Sequence, residues 1–312
     1  MATIEDGGPM RTQLRLRVKP AFPVGPPTWP GDVARPPFER RTGVDYDTAW
    51  SRRYPARLAR ALVVDGVLRP AMQLLAGPVV HGLDRLDDLD EPAIFAANHR
   101  SHLDTPVLLT SLPDRWRHRV AVAAGADYFF DTRAKGAVAA LTLGAVPIER
   151  TRVSRRSTDQ VAALLDEGWS LVVFPEGGRS PDGWGQAFRA GAAYLSLRCG
   201  HPVVPVHLEG TRRILRPGAT RPALSGGPVH VTFGTPMRAG DDEDVRSLSA
   251  RIEQAVAALA DERANDWWTA RRRAAAGATP ALTGPDASGW RRTWALGDGR
   301  RGGRRRRAPW PS

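Results

Sequence analysis

His99 and Asp104 bound the run His99-Arg100-Ser101-His102-Leu103-Asp104, which directly follows an apolar segment, Ala93 to Ala97. Further along, Phe174-Pro175-Glu176-Gly177-Gly178-Arg179-Ser180 follows a second apolar run, Leu171 to Phe174. Histidine titrates near neutrality and suits proton removal. A carboxylate within reach can fix its tautomer and stabilise the imidazolium. Gly177 and Gly178 free backbone N–H groups to face an anion, and Arg179 offers a forked donor matched to phosphate. Glu176 stands where it could orient a substrate hydroxyl or hold Arg179. Together these residues are the equipment for deprotonating a hydroxyl on an anionic molecule. Plainer readings stay open beside this one. Ser101 to Asp104 is also an S-x-x-D capping signature, with Asp104 as a helix cap. Pro175 to Gly178 is also a tight turn. His102 competes with His99, and Arg189 is a further candidate for the same anion.

Chemistry of this kind needs rigid elements beneath it, and the chain alternates strand and helix signals. Leu58, Ala61, Leu62, Leu68, Met72 and Leu75 fall largely at three- and four-residue spacings. They predict an amphipathic helical segment over Tyr54 to Ala76, divided by Pro70. Strands are expected at Val79–His81, Ala93–Ala97, Arg119–Ala124, Ala145–Ile148, Leu171–Phe174, Val203–Leu208 and Val229–Phe233. Helices are expected at Ser101–Leu112, Lys135–Leu143, Ser157–Glu167, Phe188–Arg198 and Asp241–Arg263. The alternation predicts an α/β fold: a mixed central sheet flanked by helices, with a helical N-terminal segment. Both polar clusters then fall at the C-terminal ends of strands, where open α/β sheets bind ligands. Residues 1–45 read as a disordered or extended arm rich in Pro and Gly. Residues 46–270 form the domain, and 271–312 an Arg-rich flexible tail.

Composition narrows the function classes. The net charge is +12, and Lys19 and Lys135 are the only lysines, so the basic character is arginine. Such a surface attracts nucleic acid and anionic lipid alike, but no nucleic-acid reading module is visible, and no specific nucleic-acid partner is expected. The single cysteine, Cys199, excludes an intrachain disulfide and a cysteine metal cluster. HExxH, paired CxxC, GxxxxGK[ST] and GxSxG patterns are absent, so no metal, nucleoside-triphosphate or serine-hydrolase site is expected. Neither a signal peptide nor a spanning apolar run is seen.

The two motifs, taken with two further blocks in order, resemble the glycerophospholipid acyltransferase family. Its first block, N-H-x-x-x-x-D, matches Asn98 through Asp104. Its second fits Gly144-Ala145-Val146-Pro147-Ile148-Glu149-Arg150 loosely, with Pro147 at a commonly aromatic position and Glu149 where aspartate is common. Its third, F-P-E-G-x-R-S, matches Phe174 to Ser180, and its fourth, a V-P-V strand, matches Val204-Pro205-Val206. The resemblance covers about residues 75 to 235. It implies transfer of a fatty acyl group from acyl-CoA or acyl-carrier protein to a hydroxyl of a glycerophosphate-type acceptor such as lysophosphatidic acid, in phospholipid biosynthesis. In that scheme His99 is the base, Asp104 orients it, and Arg150, Glu176, Gly177 and Arg179 hold the acceptor. No acyl-enzyme forms, and no cofactor or metal is needed beyond the thioester co-substrate. Such substrates imply peripheral or monotopic attachment to an anionic membrane surface on its cytoplasmic face. Tyr54–Gly77 and Ala134–Val146 are the candidate contacts. The alternative is a non-catalytic lipid- or anion-binding protein on the same scaffold.

Overall fold

The structure, a computed structural model, describes residues 42–149, 155–223 and 226–284. Among the described residues, seven strands form a single sheet: β1 (Val79–His81), β2 (Ile94–Ala97), β3 (Val120–Gly125), β4 (Ala145–Ile148), β5 (Ser170–Val173), β6 (Val203–Glu209) and β7 (His230–Phe233). Their order is β1-β7-β6-β2-β5-β3-β4. The run from β6 to β4 is parallel throughout, and the β6–β7 pairing is antiparallel, so the sheet is mixed as expected. Strands buried on both faces read as continuous apolar runs. In β2, Phe95 and Ala97 enter one core layer while Ile94 and Ala96 enter the other.

Helices cover both faces. The N-terminal segment is α1 (Tyr54–Val63), a π turn over Val64–Leu68, and α2 (Arg69–Ala76). Pro70 does not break this segment. It stands in the first turn of α2, where its missing N–H is tolerated. Next come α3 (Asp104–Ser111), α4 (Asp114–Arg117), α5 (Ala126–Phe129), α6 (Arg133–Leu143) and α7 (Arg155–Asp166). The chain continues through α8 (Gly191–Cys199), α9 (Thr211–Ile214), α10 (Val245–Ala264) and α11 (Trp267–Ala275). Val107 and Leu108 of α3 and Met72 of α2 pack on the layer holding Phe95. Val161 and Leu165 of α7, with Leu248 and Ile252 of α10, pack on the layer holding Ile94. Gly144 ends α6 at φ +66, and a Cβ there would stand 2.9 Å from both the Val120 carbonyl and the Arg60 guanidinium. Only glycine lets buried Arg60 seat α1 against the end of α6.

Several expected boundaries shift: α3 starts at Asp104 rather than Ser101, and α10 at Val245, capped by Asp244, rather than at Asp241. The start of α8 is Gly191 rather than Phe188, because Phe188 N–H donates to Glu253 and Arg189 N–H to the Pro175 carbonyl, across the fold instead of along a helix. Helix α7 begins at Arg155, so Ser157 lies inside it. The boundary at 270 falls inside α11, whose N-cap Asp266 accepts from Thr269 N–H. The folded body continues to Gly284: Leu282 is buried against Val256 and Ala257, and its carbonyl accepts from Gly185 N–H. The remainder of the proposed tail, from 285, and the arm before residue 42 lie outside the described residues. No described helix is long and apolar enough to cross a membrane.

Candidate active site

The C-terminal ends of β2, β5, β3 and β4 lie side by side and carry the predicted residues. After β2, Asn98 bridges to β6: its amide donates to the Leu208 carbonyl at 3.0 Å and accepts from Leu208 N–H at 2.7 Å. This fixes the point where the chain turns. His99 Nδ1 then lies 2.9 Å from Asp104 Oδ2. The same carboxylate oxygen accepts the backbone N–H groups of Arg100 at 2.6 Å and Ser101 at 2.7 Å. Asp104 is therefore both a capping acid at the start of α3 and the partner of His99, and the two readings of the sequence are one geometry. Its other oxygen, Oδ1, is buried without a hydrogen-bond partner among the described residues. The His99 ring stacks on Phe174 from the second motif, with centroids 4.2 Å apart and planes 23° apart.

After β5, the second motif locks onto the first. Glu176 Oε1 accepts His99 N–H and Oε2 accepts Gln186 N–H, both at 2.8 Å. Ser180 N–H donates to the His99 carbonyl at 2.9 Å. Glu176 is only 1% exposed. Burial pushes its carboxyl up to about 7, against the opposing pull of the two N–H donors and Arg100. Glu176 is not among the residues that line the cavity between the motifs. Both of its oxygens accept backbone N–H groups, so it ties the two motifs together. Gly177 adopts φ +70, and a Cβ there would meet Arg189 Nε at 2.7 Å. A side chain is excluded by conformation and by space, because the Arg189 guanidinium lies against this turn.

Between the motifs opens a cavity of about 300 Å³. His99, His102, Gly177 and Arg179 line its polar part, and Val122, Phe129, Leu143, Ile148 and Phe174 are among its apolar walls. Arg179 Nη1 meets His102 Nε2, and its guanidinium lies 5.5 Å above the Tyr128 ring. Tyr128 stacks on His102 with centroids 5.3 Å apart. A groove of about 500 Å³ along α6, lined by Val138 and Ala139, shares Tyr128, Phe129, Thr142 and Leu143 with the cavity.

The structure thus gathers His99, Asp104, Gly177 and Arg179 at one place. Arg150, expected just past β4, lies outside the described residues. Tyr128 and Gln186 escaped the sequence reading. Tyr128 carried a usable signal, an aromatic residue directly after a strand at the ligand-binding edge. Gln186 acts through its backbone, which leaves none.

Residues 77–209 match the family model described as Acyltransferase. Through this region the chain is similar to that family. It is 31% identical over 180 residues to the chloroplast 1-acyl-sn-glycerol-3-phosphate acyltransferase of Arabidopsis thaliana, covering 55% of this chain and 46% of that protein. It is 32% identical over 180 residues to a 1-acyl-sn-glycerol-3-phosphate acyltransferase of Chlamydomonas reinhardtii, covering 56% and 51%. The chain spans about half the length of these curated relatives. In fold it is similar to the crystal structure of the 1-acyl-sn-glycerophosphate acyltransferase of Thermotoga maritima, with a TM-score of 0.53 and 22% identity over 70% of this chain and 84% of that one.

Proposed function

We propose that this chain transfers an acyl group from a thioester to the free hydroxyl of lysophosphatidic acid. The observation that carries this reading is the His99–Asp104 pair on the wall of a largely apolar cavity that Arg179 also lines. With Nδ1 held by Asp104, His99 takes the acceptor's hydroxyl proton at Nε2. The oxygen attacks the thioester carbonyl carbon, the C–O bond forms, and the tetrahedral intermediate collapses with cleavage of C–S. The thiolate leaves with the proton that His99 carried. Arg179 and the Gly177 turn hold the acceptor phosphate, with Arg150 as a further ligand, and the apolar walls receive alkyl chain. No acyl-enzyme is required, because the acceptor itself is the nucleophile. The names of the curated relatives support the choice of acceptor.

The substrates reach the site from a membrane surface in this reading. Tyr54, Leu58, Leu62, Val67 and Leu74 on the N-terminal helices are more than half exposed. Leu68, from the same segment, lines the cavity. Arginines at 53, 57 and 69 add attraction to anionic lipid. The test is direct. The full chain is incubated with lysophosphatidic acid in vesicles and a long-chain acyl thioester, and phosphatidic acid and released thiol are quantified. Formation of both in equal amounts supports the reading; thiol release without phosphatidic acid, or no turnover of any thioester, contradicts it.

A further inference from the structure

A second hollow, of about 350 Å³, shares none of its lining residues with the cavity. Four arginines, Arg100, Arg212, Arg213 and Arg216, ring it, with Glu209 and Gly210 completing its described wall. It is built from the backs of both motifs. Arg100 directly follows His99. Arg212 donates to the carbonyls of Ser180 at 2.8 Å and Pro181 at 3.0 Å, just past the second motif. Ser101 Oγ donates to the carbonyl of Leu215 at 2.7 Å, which ties the backbone beside Arg216 to the first motif. Arg100 Nε is buried with no hydrogen-bond partner among the described residues. Burial, then the charges of Arg216 and Arg100, hold the Arg212 guanidinium below its usual pKa, against the opposing pull of Asp182. Like charges fixed this closely are stabilised by a bound polyanion.

We propose that this cleft binds the diphosphate and 3′-phosphate of a coenzyme A thioester, which makes coenzyme A the donor's carrier. The proposal rests on the acyl-transfer reading above. The turn from His99 to Asp104 lends His99 and His102 to the cavity and Arg100 to the cleft. One molecule whose thioester lies at His99 and whose phosphates lie at Arg100 bridges the two hollows through its pantetheine arm. A compact concave ring of guanidinium groups matches clustered phosphates better than the broad convex face of an acidic carrier protein.

The experiment compares the full chain with the double variant Arg213→Gln, Arg216→Gln. Both side chains are exposed. Calorimetric titration with coenzyme A and with 3′-dephospho-coenzyme A is paired with rates on acyl-CoA, acyl-pantetheine and acyl-carrier protein. We expect the Kd for coenzyme A to rise about tenfold or more in the variant, as for lost charge-assisted contacts. The preference for acyl-CoA over acyl-pantetheine should shrink by a similar factor, and 3′-dephospho-coenzyme A should bind the unaltered chain more weakly than coenzyme A. Unchanged coenzyme A affinity overturns the proposal. So does an equal loss on acyl-pantetheine, a loss confined to lysophosphatidic acid, or a loss confined to acyl-carrier protein. Arginine-dependent binding of coenzyme A without turnover of any thioester would keep the cleft and sink the acyl-transfer reading instead. If the double variant melts early, Arg216→Gln alone carries the same comparison.

Discussion

Glu176 accepts the backbone N–H of His99 at 2.8 Å, so the carboxylate of the second motif sets the position of the histidine in the first. The two motifs are distant in sequence and adjacent in the sheet, because β2 and β5 pair in parallel with Phe95 beside Val172. One buried side chain makes them a single unit. The consequence is a pH dependence of stability with a definite sign.

Burial raises the Glu176 carboxyl from 4.5 to about 7, so the folded chain keeps its proton where the unfolded chain has released it. The stability this gives is fully present below about pH 4.5 and is lost as pH rises through about 7, on the order of 3 kcal/mol in all. His207 runs the other way. Burial first, then Arg100, hold its ring down to about 3, so its share is present above pH 6.5 and is lost as pH falls toward 3. The two slopes oppose each other between pH 4.5 and 6.5, which flattens the curve of the unaltered protein. Glu176→Gln removes one slope and leaves one backbone N–H facing an amide NH₂. It should destabilise most near pH 5, and its deficit should narrow by pH 8. Urea melts of both proteins from pH 5 to 8 measure this; a deficit that widens with pH contradicts the burial of Glu176 as its dominant influence.

Arg179→Ala should raise the KM for lysophosphatidic acid about ten- to a hundredfold, as for loss of a charge-assisted contact of roughly 1.5–3 kcal/mol. The KM for the thioester should move much less. Initial rates with each substrate varied in turn decide it. A change confined to the thioester would remove Arg179 from the acceptor phosphate.

Much of this site was legible in the residues. Apolar runs before His99 and Phe174 announced strands, and the strand ends met where parallel sheets bring them. What the sequence hid has physical reasons. Glu176 has the type of a ligand-binding carboxylate, and only its burial and its two backbone partners show that it braces the motifs. The stripe of Leu58 and Leu62 has helical spacing, which does not say which face is covered; in the fold these residues point outward while Arg60 and Val64 are buried. Helix α11 was obscured because its arginines read as a charged tail, although Asp266 and Thr269 form an ordinary cap.

Leu282, beyond the expected domain boundary, is buried beside Val256 and holds the backbone of Gly185, next to Gln186. Leu282→Ala should cost about 2–3 kcal/mol of stability. Through Gln186, which donates to Glu176, it should also loosen the second motif. Thermal melting and hydrogen exchange at residues 184–186 test this. An unchanged melting temperature would return Leu282 to the status of tail.

Replacing Leu58, Leu62 and Leu74 together by Gln should weaken binding to anionic vesicles with little change in melting temperature, since 53%, 68% and 92% of these residues is exposed. Co-sedimentation with vesicles across a salt series reads the effect. Vesicle binding equal to that of the unaltered chain would place the membrane contact elsewhere.

The central claim is that His99 removes the acceptor's proton. It is tested most directly by comparing His99→Ala with His102→Ala, measuring phosphatidic acid formation and thermal melting on the same preparations. Loss of the base should reduce turnover by about a hundredfold or more. His102 lies against Arg179 and Tyr128, so its loss should act mainly on acceptor binding. A folded His99→Ala protein with near-native turnover, or a His102→Ala protein that is the more severely impaired in turnover at saturating acceptor, would contradict the account.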